Sequence, residues 1–375
     1  MTTRPVGKDA LDGRLCAWAA ILVMVAMVSR VAGVDSLARY VIYLLPPAMI
    51  FVAVVLSGGR PYLDRSSAGA AVLFGIVVAL SLGVNGGMGQ FAARDMLIIG
   101  GYLCLFSLSF SGSARFADIL LLSLVAGMVL EALRDGVQLN VQLLESEGML
   151  ESTLAFPLGA LFIYYVLTNR IARSIVTFII FFVAFKRIAL AAAIAALIVY
   201  LAIRLLRMVR WERSIAVVIM IVCSIVSLFS VAIFDHFGRQ IDGFDATALS
   251  LGRFDMARAI WDAYSGTLPQ MLFGHGPGEA HAVVQSALKT DPHNDWLKIY
   301  FEYGLFGLVT FYVIFAKVFF RNPVFTCIGI YVVILLMTDN TLIYMDLFAP
   351  LFLLSRVSGR PGSVPVTRAS APRLA

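Results

Sequence analysis

Charged residues are scarce in this chain. Aspartate, glutamate, lysine and arginine make up 14% of its 375 residues, whereas hydrophobic residues make up 60%, and the mean hydropathy is +0.90. In an ordinary soluble domain about a quarter of the residues are charged. The composition therefore excludes an ordinary soluble globule and predicts a polytopic membrane protein.

Cysteine is also rare. The four cysteines stand singly in apolar segments and form no C-x-x-C pair: Cys16, Cys104, Cys223 and Cys327. This pattern indicates neither a disulfide framework nor a zinc site, and we interpret the four as packing residues.

The net charge of +6 would suggest nucleic acid as the partner of a soluble domain. Here the arginines lie in short loops between apolar segments, where they orient membrane helices. No nucleic-acid partner is predicted.

Long apolar runs fill most of the chain. About 20 apolar residues cross a bilayer as a helix, and backbone polar groups in lipid must be bonded internally. The predicted fold is therefore an all-α membrane protein with about twelve transmembrane helices. They are placed near residues 15–33, 40–57, 67–84, 95–111, 116–133, 152–168, 171–185, 188–204, 214–234, 296–316, 323–338 and 341–356.

The chain divides into two parts. Residues 1–357 are predicted to form the polytopic membrane domain, and the first apolar run is interpreted as a membrane helix because apolar segments continue to the C-terminus. Residues 358–375 are rich in proline, serine and arginine, which predicts a disordered tail.

Lysine and arginine are biased towards one side of the predicted helices, most sharply between Arg204 and Arg213. Because cytoplasmic loops carry this excess, both termini and the tail are predicted to be cytoplasmic, in a bacterial inner membrane. The large polar loop at residues 235–295, between the ninth and tenth helices, then faces the periplasm. Neither ATP nor nucleotide sugar is available there, so chemistry on that face needs a pre-activated substrate.

Most of the residues that could carry chemistry lie in or beside this loop. Between residues 249 and 308 they include two arginines, three of the four histidines and a glycine-rich turn: Arg253, Arg258, His275, His281, His293 and residues 274–278. Pro292 constrains the backbone before the tenth helix and Asn294 or Asp295 can cap it, which places His293 at the helix entry. A helix N-terminus beside cations is a natural phosphate site.

These motifs resemble a known family. The segment Pro292-His293-Asn294-Asp295-Trp296-Leu297, followed by Glu302, Gly304 and Gly307, is similar to the signature of the O-antigen ligase and O-antigen polymerase superfamily. The upstream segments Ser250-Leu251-Gly252-Arg253 and Leu272-Phe273-Gly274-His275-Gly276-Pro277-Gly278 resemble its arginine-containing helix and its glycine turn, in the same order.

The resemblance implies a membrane glycosyltransferase that uses no metal or other cofactor. Its donor would be a glycan linked to undecaprenyl pyrophosphate, and its acceptor another glycan or lipid A-core, at the periplasmic face. The product would be O-antigen, capsule or exopolysaccharide. Membrane lipids and polysaccharide-assembly proteins are the other implied partners.

The resemblance also implies roles for single residues. His293 matches the histidine that would deprotonate the acceptor, and Arg187 and Arg253 match arginines that would hold the pyrophosphate. Lys186 stands where the family often has serine. The substrate-binding candidates are Arg258, Lys186, His275, Asn294, Glu302 and Asp339.

A structural role is the alternative for each candidate. Lys186 and Arg187 could extend to lipid headgroups, and Arg253 could pair with a nearby carboxylate. His293 could bind phosphate or be structural, Glu302 could be a hydrogen-bonded buried carboxylate, and Asp339 could cap a turn. His275, His281, Asp291 and His293 could mimic a metal cluster, but their spacing matches no helical ligand pair.

Other functions also remain compatible with the residues. A transporter or flippase has many membrane helices and a few buried charges, although the two halves show no pair of equivalent broken helices. A non-catalytic partner in an export complex is a further alternative. Ligase and polymerase are not separated by the sequence.

Overall fold

A computed structural model describes residues 65–86, 91–107, 115–135, 153–184, 186–240 and 252–344, together with positions 17, 18, 21, 48, 51, 52, 54, 55, 347, 348, 351, 354 and 355. Throughout these residues the fold is helical and contains no strand, which confirms the predicted all-α class. Nearly all of the predicted helices at 15–33 and 40–57, and the whole predicted tail, lie outside the described residues.

The described chain contains a series of α-helices, which we number in chain order. They are α1 (Arg65–Asn85), α2 (Ala92–Ser107), α3 (Arg115–Asp135), α4 (Ala155–Leu167), α5 (Ile171–Val183), α6 (Arg187–Leu205), α7 (Glu212–Leu228), α8 (Ser230–Gln240), α9 (Arg253–Asp262), α10 (Leu268–Phe273), α11 (Glu279–Leu288), α12 (Asp295–Phe319) and α13 (Pro323–Thr338). Short 3₁₀ turns occupy Val209–Trp211 and Thr341–Ile343.

Four segments of the described chain are long and apolar enough to cross a membrane: Ala68–Asn85, Arg187–Leu205, Val209–Leu228 and Asp295–Phe319. Four shorter apolar helices accompany them: Phe116–Leu130, Ala155–Leu167, Ile171–Val183 and Pro323–Thr338. The chain is thus a membrane protein, and the number of twelve crossings stays a prediction.

The distribution of exposed and buried side chains on α5 and α6 is the one expected of helices in contact with lipid. In α5 the large residues Ile175, Ile179 and Phe182 are exposed, whereas the small polar residues Ser174 and Thr177 are buried. In α6 the buried face consists largely of alanine. Small residues let membrane helices approach closely, and large apolar residues can face acyl chains at no cost in hydration.

Helix α13 packs against α6, α7 and α12, and α7 also packs against α12. The chain reverses direction at both ends of this group. At one end the arginine-rich turn after α6 lies beside the turn between α12 and α13, where Arg213 donates a hydrogen bond of 2.7 Å to the carbonyl oxygen of Phe320. The opposite end, which we call the site end, holds Lys186, His293 and Asp339.

The boundary between the membrane helices and the loop differs from the prediction. The predicted helix at 214–234 is in fact two helices, since α7 ends at Leu228 and α8 begins at Ser230. The indole Nε1 of Trp261 donates to the Leu228 carbonyl at 2.9 Å, and the Asn294 amide donates to the Ser227 carbonyl at 3.4 Å. These loop residues bond carbonyls that the end of α7 leaves free.

Two predicted ends were also displaced. The helix predicted at 95–111 begins at Ala92, three residues earlier. The helix predicted at 341–356 begins instead with a 3₁₀ turn, because the Leu342 N–H and the Thr341 hydroxyl both bond to the Asp295 carboxylate.

A break inside α12 joins the membrane helices to the loop. Gly304 has φ 64° and ψ −163°, a conformation that is essentially restricted to glycine. Beside the break, the carbonyls of Phe301 and Glu302 accept hydrogen bonds of 2.7 and 3.1 Å from the N–H groups of His275 and Gly276. The glycine turn is therefore docked directly on the membrane helix.

Gly304→Ala is expected to destabilise the fold by roughly 2–4 kcal/mol, from backbone strain and overpacking together. A Cβ atom at this position would lie 2.4 Å from the backbone carbon of Leu272 and would have a positive φ. The measurement is the apparent melting temperature in detergent. Gly100→Ala is the control, because its Cβ would meet nothing within 4 Å; equal melting temperatures of the two variants would contradict the expectation.

Candidate active site

Lys186, His293 and Asp339 form a compact cluster at the site end, which we call the His293 cluster. The Asp339 carboxylate lies 3.1 Å from His293 Nδ1 through Oδ1, and 3.0 Å from Lys186 Nζ through Oδ2. Asp339 is fully buried and Lys186 nearly so, whereas about a quarter of the His293 side chain (28%) is exposed. Three residues that are distant in the sequence are thus joined around one carboxylate.

The electrostatics of the cluster keep Asp339 ionised. Burial raises the pKa of this carboxyl, but the hydrogen bond from His293 and the charge of Lys186 outweigh burial and lower the pKa to about 2. An ionised carboxylate accepts a hydrogen bond from the Nδ1–H of a neutral imidazole, which leaves the lone pair on Nε2. The geometry gives His293 an oriented basic nitrogen.

Local structure fixes the position of each member. Lys186 is the residue before α6, and its ammonium lies 4.6 Å from the centre of the Phe156 ring. Asp339 directly follows α13, and the Asn340 N–H donates to its Oδ1 at 2.8 Å. His293 lies two residues before α12.

The entry to α12 is capped as the sequence predicted. The Asn294 side chain accepts a hydrogen bond of 3.1 Å from the Leu297 N–H, and the buried Asp295 carboxylate bonds to Thr341 and Leu342. Because protein groups occupy this helix N-terminus, it is a less open phosphate site than the motif alone suggests. The Asn294 cap and the hydrogen bonds of Asp295 hold the His293 segment against the segment that carries Asp339.

The two arginines predicted to be catalytic remain without ion partners among the described residues. Arg187 is the first residue of α6, is exposed and directly follows Lys186. Arg253 is the first residue of α9 and is half-buried. Helix α9 packs onto Leu297 and Phe301 in the first two turns of α12, so Arg253 also lies at the site end.

Arg258 and His275 have protein partners instead. Arg258 pairs with Asp235 and lies 4.7 Å from the centre of the Phe254 ring. His275 stacks on Phe301 with a ring separation of 4.3 Å and is thus part of the glycine-turn packing. Burial lowers the pKa of His275.

Glu302 belongs to a second buried group, which we call the Lys298 cluster. Lys298 Nζ lies 2.6 Å from Asp95 Oδ2 and 4.0 Å from Glu302 Oε1, and all three residues are buried. Arg94 Nε lies 3.2 Å from the other Asp95 oxygen. Glu302 is therefore a buried carboxylate beside a lysine, and no arginine ion pair forms with it among the described residues.

Sequence reasoning missed Asp95 and Lys298. A lysine inside a predicted membrane helix is itself a signal, because a charge at such depth needs a partner. The separation of about 200 residues between Lys298 and Asp95 leaves no local pattern that identifies that partner.

His281 also has a carboxylate partner. His281 Nδ1 lies 2.7 Å from Asp291 Oδ1, and this hydrogen bond lowers the pKa of Asp291. Across the described part of the chain, no group of three or more histidine, cysteine, aspartate or glutamate side chains is arranged to hold a metal ion.

Lys298→Met is expected to cost roughly 3–5 kcal/mol of stability, because it leaves the buried Glu302 without a cation and Asp95 with Arg94 alone. The yield and melting temperature of the purified protein measure this effect. The additional change Asp95→Asn should recover part of the loss, and Lys289→Met is a control at an exposed lysine. Unchanged stability of Lys298→Met would contradict a stabilising role of Lys298 as the cation of the buried carboxylates.

The fold and the site together define a polytopic helical membrane protein with an oriented histidine at one end of its bundle, beside arginines that have no ion partner among the described residues. Residues 172–312 match the family model described as O-Antigen ligase. This match covers the residues whose motifs resemble the O-antigen ligase and polymerase superfamily, and it supports that resemblance and a membrane ligase or polymerase family that transfers glycans.

The matched range contains His293, Arg187, Arg253 and Lys298, whereas Asp339 follows it. Neither a curated protein nor a solved structure matches this chain.

Proposed function

We propose that this protein is an inverting glycosyltransferase of the O-antigen ligase or polymerase type, which takes its glycan from undecaprenyl pyrophosphate. The observation that carries the proposal is the oriented imidazole of His293, held by Asp339 and Lys186 beside Arg187, which has no ion partner among the described residues. The site end lies opposite the arginine-rich turns, and the positive-inside rule assigns those turns to the cytoplasm. The site then faces the periplasm of a bacterial inner membrane, with both termini cytoplasmic.

His293 acts as the general base in this proposal. Its Nε2 accepts the proton of the acceptor hydroxyl while that oxygen attacks the anomeric carbon of the donor. A positioned imidazole of this kind typically contributes about 10²- to 10⁴-fold to the rate. Asp339 holds the imidazole in the required tautomer and stabilises the imidazolium that forms.

Arg187 and Arg253 act on the leaving group. As the bond between the anomeric carbon and the phosphate oxygen breaks, its electron pair passes to undecaprenyl pyrophosphate, and the two guanidinium groups stabilise the new charge. Attack from the face opposite the pyrophosphate inverts the anomeric carbon. Because Arg258 already pairs with Asp235, we assign it a smaller part.

The contacts of the other substrate-binding candidates assign them to two groups. Lys186 and Asp339 act through His293, and Asn294 positions the same segment through its helix cap. His275 and Glu302 shape the glycine turn and the Lys298 cluster.

A direct assay tests the proposal. The purified protein in liposomes is given a lipid-linked glycan and an acceptor, with no ATP and no ion gradient, in the presence of a chelator. We expect glycan transfer under these conditions. Movement of the lipid-linked glycan across the bilayer without any transfer would instead support a transporter or flippase.

Deletion of the gene in its native host separates the two branches of the family. Lipopolysaccharide core that carries one repeat, or short lipid-linked units without long exopolysaccharide, identifies a polymerase. Bare core with long chains left on undecaprenyl pyrophosphate identifies a ligase. Either phenotype gives the acceptor class.

A further inference from the structure

The short helix α10 and the glycine turn after it lie against membrane helices. Helix α10 packs on both α12 and α1. The Asn85 amide, at the end of α1, donates to the Gly274 carbonyl at 3.0 Å, and the Ser81 hydroxyl donates to the Glu302 carbonyl at 2.8 Å. This part of the loop, which the sequence places in the periplasm, therefore lies level with the ends of the membrane helices or deeper in the bilayer.

Two helices indicate how deep α10 lies in the bilayer. Asn85 is the last residue of the apolar span Ala68–Asn85, which places Gly274 near the bilayer boundary. Gly304 follows the start of α12 by nine residues, or about 14 Å at 1.5 Å per residue. Both measures put α10 within the headgroup region or the upper part of the hydrocarbon layer.

The free side of α10 is apolar. Leu268 is 67% exposed and Met271 is 44% exposed. The next aromatic residue, Phe273, stacks on Phe306 of α12 with a ring separation of 5.4 Å, and Phe306 is itself 48% exposed. With Val309 on the same span also exposed, the apolar surface continues from α10 onto the outward surface of a membrane-crossing helix.

Several polar groups of this segment are bonded within the protein, which lowers the cost of contact with lipid. The backbone N–H groups of Met271 and Gly274 donate to the carbonyls of Thr267 and Gln270 at 2.8 and 2.7 Å. The Thr267 and Ser265 hydroxyls both bond to the Gln270 side chain.

We propose that residues 265–274 form an interfacial anchor, whose Leu268 and Met271 side chains lie among the acyl chains of the leaflet at the site end. The occupant is bilayer lipid, because the exposed apolar surface of α10 is continuous with that of the membrane-crossing α12. This anchor holds the glycine turn at bilayer depth and fixes one side of the loop beside the His293 cluster. The proposal concerns membrane placement and is independent of the proposed reaction.

Fluorescence quenching in liposomes tests the anchor. A fluorophore is attached at Met271→Cys in a full-length protein whose four natural cysteines are replaced. Lipids with bromine near the headgroup end of the acyl chains quench from within the bilayer, and iodide quenches from water. Val309→Cys is the lipid-facing control, and Asp262→Cys, at the exposed end of α9, is the aqueous control.

We expect the label at Met271→Cys to lose most of its fluorescence to brominated lipid and little to iodide, as at Val309→Cys. Strong iodide quenching with weak lipid quenching, as at Asp262→Cys, would overturn the anchor. Protection from both quenchers would overturn it as well, because the side chain would then be covered by protein. Leu268→Cys gives the same readout if the first variant does not fold.

Discussion

Replacing Arg187 or Arg253 by alanine is expected to reduce glycan transfer by roughly 100- to 1000-fold, while the protein stays folded in the membrane. Removal of one preorganised donor from a site that stabilises developing negative charge typically has this effect. Both guanidinium groups are without ion partners in the described chain, so their removal breaks no protein ion pair there. The measurement is the initial rate of transfer from a lipid-linked donor by purified protein.

Arg258→Ala is the matched control for this experiment. Arg258 lies on α9, the helix that also carries Arg253, and its guanidinium already pairs with Asp235. We expect it to retain most of the activity. Lysine at position 187 or 253 should restore only part of the rate, since an ammonium group does not bind phosphate through two parallel hydrogen bonds. Wild-type activity in both alanine variants would refute the assignment of these arginines.

His293→Gln and Asp339→Asn are the second pair of changes with large expected effects. The first removes the base and should lower the rate by about 10²- to 10⁴-fold. The second leaves a side chain of similar shape but removes the charge that orients Nδ1, so a large loss in kcat with little change in KM is expected. If Asp339→Asn changed only KM, Asp339 would be a substrate ligand and not the partner of His293.

The pKa of Asp339 predicts how this second effect depends on pH. The folded protein lowers that pKa to about 2 from an ordinary value of 3.8, so the carboxylate is ionised throughout the neutral and mildly acidic range. The stabilising effect of its charge is fully present above the ordinary value and is lost only as the pH falls towards 2. The ratio of wild-type to Asp339→Asn activity, measured across the neutral and mildly acidic range, should therefore reflect no titration of Asp339.

Local patterns predicted the parts of the fold that depend on neighbours in sequence. The apolar run at 323–338 coincides with α13, because Asn322 and Pro323 fix its start and Asp339 follows its end. Asn294 caps α12 through a contact only three residues away. The position of His293 at a helix entry followed from the same local chemistry.

Contacts between distant segments could not be predicted in this way. Asp339 was a candidate for substrate binding, but its pairing with both His293 and Lys186 depends on how α6, α12 and α13 pack. The same holds for Asp95 and Lys298. The close contact at Gly304 and the broken helix that produces it have no local sequence signal beyond the glycine itself.

The break at Gly304 also affects the order in which parts of this protein fold and the choice of segments that can be exchanged between relatives. The turn after α10 finds two of its hydrogen-bond acceptors on a helix that enters the membrane later in synthesis, so the turn cannot reach its final form until that helix is inserted. The loop is consequently not an autonomous module. Exchange of the loop alone between related proteins would separate the turn from its acceptors, and a functional chimaera should include α12 as well.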